Sequence, residues 1–346
     1  MIQTALCFDD VLLVPLYSEI DSRKEIKIAS SLNENLKFRL PIISSPMDTV
    51  TESQMAFAME LAGGFGIIHR YNSIKDQCEL VREFKGYGGT FACAAIGVAG
   101  DYITRAMSLV ESGTSLLCLD IAHGHHSLMR HALMTLKRTF GTSVHIMAGN
   151  IATAEAFEDL AMWGADSIRV GIGGGSICST RIKTGHGVPT LQSILDCKMI
   201  SKKLGVRLIA DGGIKSSGDA VKSLAAGADF VMMGSMLAGT NEAPGEEIFI
   251  KGGKFKTYRG MASVDAQIKW RGHTASVEGV TSNIPYKGQV KNIISDIEGG
   301  ITSGFSYSGA MNLSELQDKA KFITQTSSGA AESSTHISNF AQDFQG

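Results

Sequence analysis

Apolar residues gather in short runs that recur along the chain: LPIISSPMD, GFGIIHR, FACAAIGVA, SLLCLDIAHGH, SVHIMAGN, DSIRVGIGGG, VRLIADGG and DFVMMGS. Within each run the apolar positions are near-continuous rather than alternating, the pattern of parallel strands covered on both faces. Between the runs lie stretches such as TAEAFEDLAMWGA and SGDAVKSLAAGA, where apolar positions recur at three and four. That spacing predicts helices, each closed by Gly-Ala before the next strand. Eight such strand–helix units predict an α/β fold, a single (β/α)8 TIM barrel over residues 1–346. A doubly wound open sheet is the rival, but eight strands without a break in the pattern favour closure.

Two regions and the tail fall outside the repeat. Residues 1–40 precede the first strand, and FDDVLLVP there is expected to lie across one barrel end. Residues 241–300 follow the eighth strand and contain APGEE, a hairpin-like piece EEIFIKGGKFKTYRG and then MASVDAQIKWRGHTASVEGVTSNIPYKG. An excursion at the C-terminal face of a barrel is where lids and substrate clamps sit. The tail over 325–346 is polar and rich in small residues, so it is expected to fray unless it docks.

Composition narrows the class. A chain of 346 residues with 44% hydrophobic and 19% charged residues has the make-up of a soluble globular enzyme. A net charge of −2 gives no global field for nucleic acid or a membrane surface, so anionic substrates must be met locally. The six cysteines stand far apart with no CxxC pair, which argues against a zinc site or disulfide framework and for a reducing, cytoplasmic compartment. MIQTALCFDD lacks the charged and apolar regions of a signal peptide, and no apolar run is long enough to span a bilayer.

The loops after strands 7 and 8, where barrels usually bind phosphate, read ADGGIKSSGD and MGSMLAG. Gly212-Gly213 and Gly234-Ser235 can aim backbone N–H groups at an anion, with Ser176 and Tyr258 adding hydroxyls. Asp211, at the tip of strand 7, is placed to accept from ribose hydroxyls, and Asp120 in the loop after strand 4 has the same chemistry. The stretch GIGGGSICSTRIKTGHG (171–187) surrounds Cys178 with six glycines. Cys178 has three readings: a buried apolar thiol, a metal ligand, or a nucleophile. No second ligand stands at metal-site spacing, while Thr180, Arg181 and Lys183 are polar partners that an inert cysteine does not need. Nearby DIAHGHHS carries His123, His125 and His126 without the helical spacing of a zinc site, so the loop reads as a cofactor wall with some histidines solvated. Glu278 in SVEGV reads, on pattern alone, as an isolated surface carboxylate.

Taken together, FDDVLLVP, SPMDTVTE, GGFGIIHR, LDIAHGH, AGNIATAE, GIGGGSICSTR, ADGGI, VMMGS, EAPGE and YRGM resemble the IMP dehydrogenase and GMP reductase family over nearly the whole chain. The resemblance implies a (β/α)8 barrel in which Cys178 attacks C2 of a purine nucleotide while Thr180 and Glu278 handle protons. It implies that Ser176, Gly213, Gly234, Ser235 and Tyr258 hold the phosphate, Asp211 the ribose, and Gly260-Met261 the base. Asp120, Asn150 and Arg169 map to positions facing the nicotinamide cofactor. A potassium site would take the Gly173, Gly175 and Cys178 carbonyls, completed by Glu332, Ser333 and Ser334 of a neighbouring subunit, and the implied assembly is a homotetramer.

Within that family the wording AHGH, EAPGE, YRGM and AESSTH leans to the dehydrogenase, which oxidises IMP with NAD. Three features lean to the reductase, which uses NADPH and expels ammonia from GMP. HRYNSI runs to FACAAIGV without room for a CBS-pair insertion; KTGHG follows the reductase form of the cysteine loop; and the interval from Met261 to Glu278 is too short for the dehydrogenase flap with its Arg-Tyr pair. Arg70 stands where the reductase has a lysine thought to aid ammonia release, and a guanidinium is a poor proton donor. The expectation is therefore a GMP reductase without a CBS pair, with IMP dehydrogenase as the alternative and a non-catalytic nucleotide-binding barrel as a minor one.

Overall fold

The computed structural model describes Ile2 and residues 4–333. Eight parallel strands close into a barrel: β1 (Ile42–Ser44), β2 (Phe65–Ile68), β3 (Ala92–Ile96), β4 (Thr114–Asp120), β5 (His145–Ile151), β6 (Ser167–Val170), β7 (Arg207–Asp211) and β8 (Phe230–Met233). Each neighbours its successor in sequence, and β8 pairs with β1, Val231 opposite Ile42, to complete the ring. Helices cover the outside: α1 (Ser53–Leu61), α2 (Ile74–Gly86), α3 (Tyr102–Glu111), α4 (Ser127–Phe140), α5 (Ala154–Met162), the short α6 (Thr180–Thr184), α7 (Thr190–Leu204) and α8 (Ser217–Ala226). The near-continuous apolar runs are strands buried on both faces. One face fills the barrel with Ile43, Phe65, Ile67, Cys93, Cys118, Met147, Ile209 and Phe230, and the other packs against the helices.

Local signals account for the helix ends. Thr153 caps α5 by accepting from the Ala156 N–H at 3.2 Å, and Ser216 caps α8 through the Asp219 N–H at 3.1 Å; such caps are worth about 1 kcal/mol each. At the other end of α8, Gly227 has φ +127°, and a Cβ there would stand 2.7 Å from Lys198 Cγ. The Gly-Ala punctuation is thus a steric requirement of the return to the next strand.

The N-terminal end of the barrel is closed by a short hairpin. The plug is Phe38, on a two-residue hairpin strand (Lys37–Phe38), whose ring meets Phe65, Phe91 and Phe230 with centroids 4.3, 5.7 and 5.9 Å away. FDDVLLVP starts at the other, C-terminal end. Phe8 lies beside Gly213, Lys222 Nζ donates to its carbonyl at 2.8 Å, and Val11–Leu13 pairs antiparallel with Phe322–Thr324 along the outside. Sequence pattern marks FDDVLLVP as apolar but not which apolar surface it covers. The described part of the tail is ordered by that same pairing: Ser327–Glu332 is helical and packs on the Phe8–Asp10 turn.

The excursion after β8 builds a three-stranded antiparallel sheet from β9 (Glu247–Ile250), β10 (Gly253–Arg259) and β11 (Thr281–Pro285), with α9 (Val264–Arg271) between β10 and β11. Lys256, 4% exposed, ties this sheet to the barrel rim by donating to the carbonyls of Thr240, Asn241 and Ala243 at 3.0, 3.3 and 2.7 Å. The last barrel helix, α10 (Val290–Tyr307), then packs on α8. No helix among the described residues is long and apolar enough to cross a membrane.

Candidate active site

The C-terminal ends of the strands and the excursion after β8 enclose a cavity of about 290 Å3. Its wall holds Arg70, Asp120, Asn150, Arg169, Gly173, Gly175, Ser176, Cys178, Thr180, Asp211, Gly213, Gly234, Ser235, Tyr258, Gly260, Met261 and Glu278. Residues from the C-terminal ends of six barrel strands, the loops after them and the excursion, singled out for phosphate, ribose, base, cofactor and chemistry, thus share one space.

At one end Gly213, Gly234 and Ser235 meet Ser176 and Tyr258. Tyr258 is 4% exposed, and burial pushes its phenol up from the ordinary range despite the Ser176 and Ser235 hydroxyls beside it. It is therefore a neutral O–H donor at any physiological pH. A Cβ on Gly234 would approach the Tyr258 hydroxyl to 3.2 Å, so the glycine keeps that oxygen open to a ligand.

The floor is an alternating row of charges. Arg169, 6% exposed, sends Nη1 to Asp120 Oδ1 at 2.6 Å and Nη2 to Asp211 Oδ2 at 2.8 Å. Burial disfavours its charge, yet the carboxylates of Asp211 and Asp120 outweigh that and hold the guanidinium well above its usual range. Asn150 Nδ2 donates to the same Asp211 oxygen at 2.7 Å and to the Gly171 carbonyl at 2.9 Å. Its reach depends on a bulge: the β5–β6 register slips between Gly149 and Ile151, so Asn150 leaves the ladder and turns to the site. Gly171, at φ +145°, is where β6 passes the tip of β7; a Cβ there would lie 1.8 Å from the Asp211 carbonyl oxygen.

Chemistry concentrates on the cysteine loop. Cys178 Sγ donates to Thr180 Oγ1 at 3.2 Å, and Thr180 Oγ1 donates to Glu278 Oε2 at 2.7 Å. Glu278 is not the isolated carboxylate its neighbourhood in sequence suggested. The Ser179 N–H donates to the Glu278 carbonyl at 2.9 Å, Cys178 bridges to Gly279, and the Val280 N–H donates to the Ile177 carbonyl at 3.1 Å. A thiol, a hydroxyl and a carboxylate in line are an arrangement able to take a proton from sulfur. The remaining cysteines differ in kind. Cys93 and Cys118 fill the barrel, and burial raises both thiols, Cys118 to about 12.

Arg70 closes the other end. Its Nη2 donates to the Asp120 carbonyl at 2.9 Å, its Nε stands 3.5 Å from Asp120 Oδ2, and its guanidinium lies over the rings of Tyr71 and Trp270 at 5.3 and 5.2 Å. Tyr71 and Trp270 stack with centroids 4.3 Å apart. These two rings were not anticipated, since they meet only when α9 folds over the loop after β2. The same holds for Asp48, which forms a bidentate ion pair with Arg259 and so clamps the strand-1 loop onto β10.

The histidines lie outside the cavity, and the residues implied for potassium are split. Asp120, Ile121 and Ala122 line the cavity, whereas His125 pairs with Asp159 at 2.8 Å and His126 caps α4. No cluster of three or more metal-ligating side chains occurs among the described residues. Gly173, Gly175 and Cys178 share the cavity wall, while Glu332 and Ser333 sit at the end of the terminal helix on the outside. Ser334 lies outside the described residues.

Comparison with known proteins agrees with this geometry. A family model described as "IMP dehydrogenase / GMP reductase domain" matches residues 5–336. The inosine-5'-monophosphate dehydrogenase of Nitrosopumilus maritimus is 34% identical over 466 aligned positions, covering 96% of this chain and 98% of the relative. The GMP reductase of Leishmania major is 32% identical over 474 positions, covering 96% of each. Among solved structures, a cysteine-to-alanine variant of the GMP reductase of Trypanosoma brucei, in complex with guanosine 5'-monophosphate, superposes with a TM-score of 0.91 at 33% identity, covering 97% of this chain and 98% of that one. The chain therefore belongs to the IMP dehydrogenase / GMP reductase family. It is an oxidoreductase-family (β/α)8 barrel without a CBS domain. Because alignments to a dehydrogenase and to a reductase both run far beyond its 346 residues, the missing insertion does not separate the two activities.

Proposed function

We propose that this member of the family is a GMP reductase, which reductively deaminates GMP to IMP and ammonia with NADPH through a covalent adduct on Cys178. The observation that carries the reading is the interval from Met261 to Glu278. It is filled by α9 and a short return, and Glu278 is docked back on Thr180. The chain there has no Arg-Tyr pair to activate water against an adduct, as Arg271 is followed by Gly272. The likeness to a reductase with GMP bound supports the same choice of ligand.

In this reading Ser176, Gly213, Gly234, Ser235 and Tyr258 hold the phosphate, Asp211 the ribose, and Gly260 and Met261 the base. The thiol proton of Cys178 passes through Thr180 to Glu278 as sulfur adds to C2. The same path returns that proton to the departing amine, which leaves as ammonia. A reduced nicotinamide supplies, when bound, the hydride that takes the place of sulfur at C2 and frees the cysteine. The cavity suits that group: Asp120, Asn150 and Arg169 face it, and Arg70 Nε is buried with no hydrogen bond, a donor that a carboxamide oxygen would satisfy. Arg70, a permanent cation held by Asp120, contributes charge and not a proton. A homotetramer in a reducing, cytoplasmic compartment belongs to the same proposal.

Arg70 in place of lysine favours the second reading, an IMP dehydrogenase that oxidises IMP with NAD. The paired assay separates them. Purified protein with GMP and NADPH is expected to lose absorbance at 340 nm and release ammonia, and faster turnover of IMP with NAD overturns the assignment. Cys178→Ala is expected to abolish turnover while leaving GMP binding largely intact, since loss of a covalent nucleophile costs several orders of magnitude.

A further inference from the structure

The return from α9 to Glu278 is organised by one buried side chain. Gln267 is 2% exposed although it lies in a short helix whose neighbours Ile268 and Val264 face solvent. Its Nε2 donates to the Ala262 carbonyl at 3.0 Å and to the Ser276 carbonyl at 3.0 Å, and its Oε1 accepts from the Ala275 N–H at 2.8 Å. Gln267 thereby staples the entry of the excursion to its exit. The two carbonyls it binds both lead directly to Glu278. The Ala262 carbonyl that it holds also accepts the Glu278 N–H at 3.2 Å. Ser276, whose carbonyl it holds, donates its hydroxyl to Glu278 Oε1 at 3.1 Å, while Oε2 takes Thr180.

We infer that Gln267 is a positioning residue for the proton path, acting through Ala262 and Ser276 to hold Glu278 against Thr180 and Cys178. The residues around it explain why such a device is required. From Gly272 to Ala275 the return is exposed, and its turn has no apolar side chain to anchor it. The rest of α9 is held at its first turn by the buried Ala266 and at its last turn by Trp270, which stacks on Tyr71. An amide with two donors and an acceptor is the side chain able to bind two carbonyls and an N–H at once. Glutamate keeps the acceptor and loses both donors; methionine keeps the length and loses all three bonds.

The inference rests on reading Cys178, Thr180 and Glu278 as the reacting groups, and the experiment tests the two separately. Steady-state rates with GMP and NADPH, and with IMP and NAD, are measured for wild type, Gln267→Met, Gln267→Glu, Glu278→Gln and the double variant Gln267→Met with Glu278→Gln. Displacement of a catalytic group by about 1 Å costs on the order of 100-fold. Gln267→Met is thus expected to lower kcat about 10- to 100-fold with the nucleotide KM changed less than about threefold, and Gln267→Glu to do the same. In the double variant the second substitution is expected to add less than about twofold, because a residue that acts through Glu278 has nothing left to position. Full additivity of the two losses overturns the inference, as does Gln267→Met retaining more than about half of wild-type kcat. Wild-type rates in Glu278→Gln would instead remove the proton path itself. Circular dichroism melts on each variant identify any that lose activity by unfolding, and an unfolded Gln267→Met with a folded, fully active Gln267→Glu also counts against the inference.

Discussion

Removing one oxygen from the proton path is the sharpest perturbation available. Thr180→Val keeps a side chain of similar shape and deletes Oγ1, which both accepts from Cys178 Sγ at 3.2 Å and donates to Glu278 Oε2 at 2.7 Å. Without that oxygen the two legs leave a gap that no direct hydrogen bond spans. Proton transfer by a positioned group is worth about 10²–10⁴-fold, or about 2.7–5.4 kcal/mol in the barrier. Glu278 is only half-buried, so water can restore part of the path, and the lower half of that range, about 10²- to 10³-fold in kcat, is the expected loss. Stability should change by less than about 1 kcal/mol, because Thr180 is partly exposed at the start of the five-residue α6. The assay is NADPH consumption with saturating GMP, beside thermal melts and a Thr180→Ser control that keeps the hydroxyl. Thr180→Val with more than about a tenth of wild-type kcat would refute the path. Equal loss in Thr180→Ser and Thr180→Val would show that shape, not the proton, is what matters.

Two further predictions concern stability. Arg169→Met leaves Asp211 without its cation and Asp120 with Arg70 alone, and breaking a buried ion pair in this way costs about 3–5 kcal/mol; urea unfolding that shifts by less than about 1 kcal/mol would contradict the charge row as a structural element. His145, 4% exposed, sits between Asn33 and Ser167 with hydrogen bonds of 3.3 and 2.9 Å, and burial lowers its imidazole to about 4. The unfolded chain takes up that proton near the ordinary value of about 6.5, so the stability from this group is complete above that value and is lost as pH falls toward 4. Between about pH 7 and pH 5 the loss attributable to His145 is about 2 kcal/mol. Subtracting the same urea series on His145→Gln should remove it, and parallel pH dependence in the two proteins would show that His145 does not carry the effect.

Much was written in local pattern. The near-continuous apolar runs required two-sided burial, and the helix periods between them supplied the cover, so the barrel was legible before any contact was known. Gly213, Gly234 and Cys178 could be singled out because glycine and a free thiol each have few local uses in a loop after a barrel strand. The rest depended on groups brought together from afar. Glu278 looks like a surface carboxylate until the Gln267 staple and the pairing of Cys178 with Gly279 set it beside Thr180. Phe38 plugs the N-terminal end of the barrel because it meets three aromatic rings, from β2, β8 and the loop before β3. Asn150 reaches Asp211 only because a bulge turns it out of β5, and Asp48 meets Arg259 across 211 residues of chain. Periodicity reports which face of an element is buried; which charges, rings and hydroxyls end within 3 Å of one another is decided by packing, and here that packing sets Thr180 between Cys178 and Glu278.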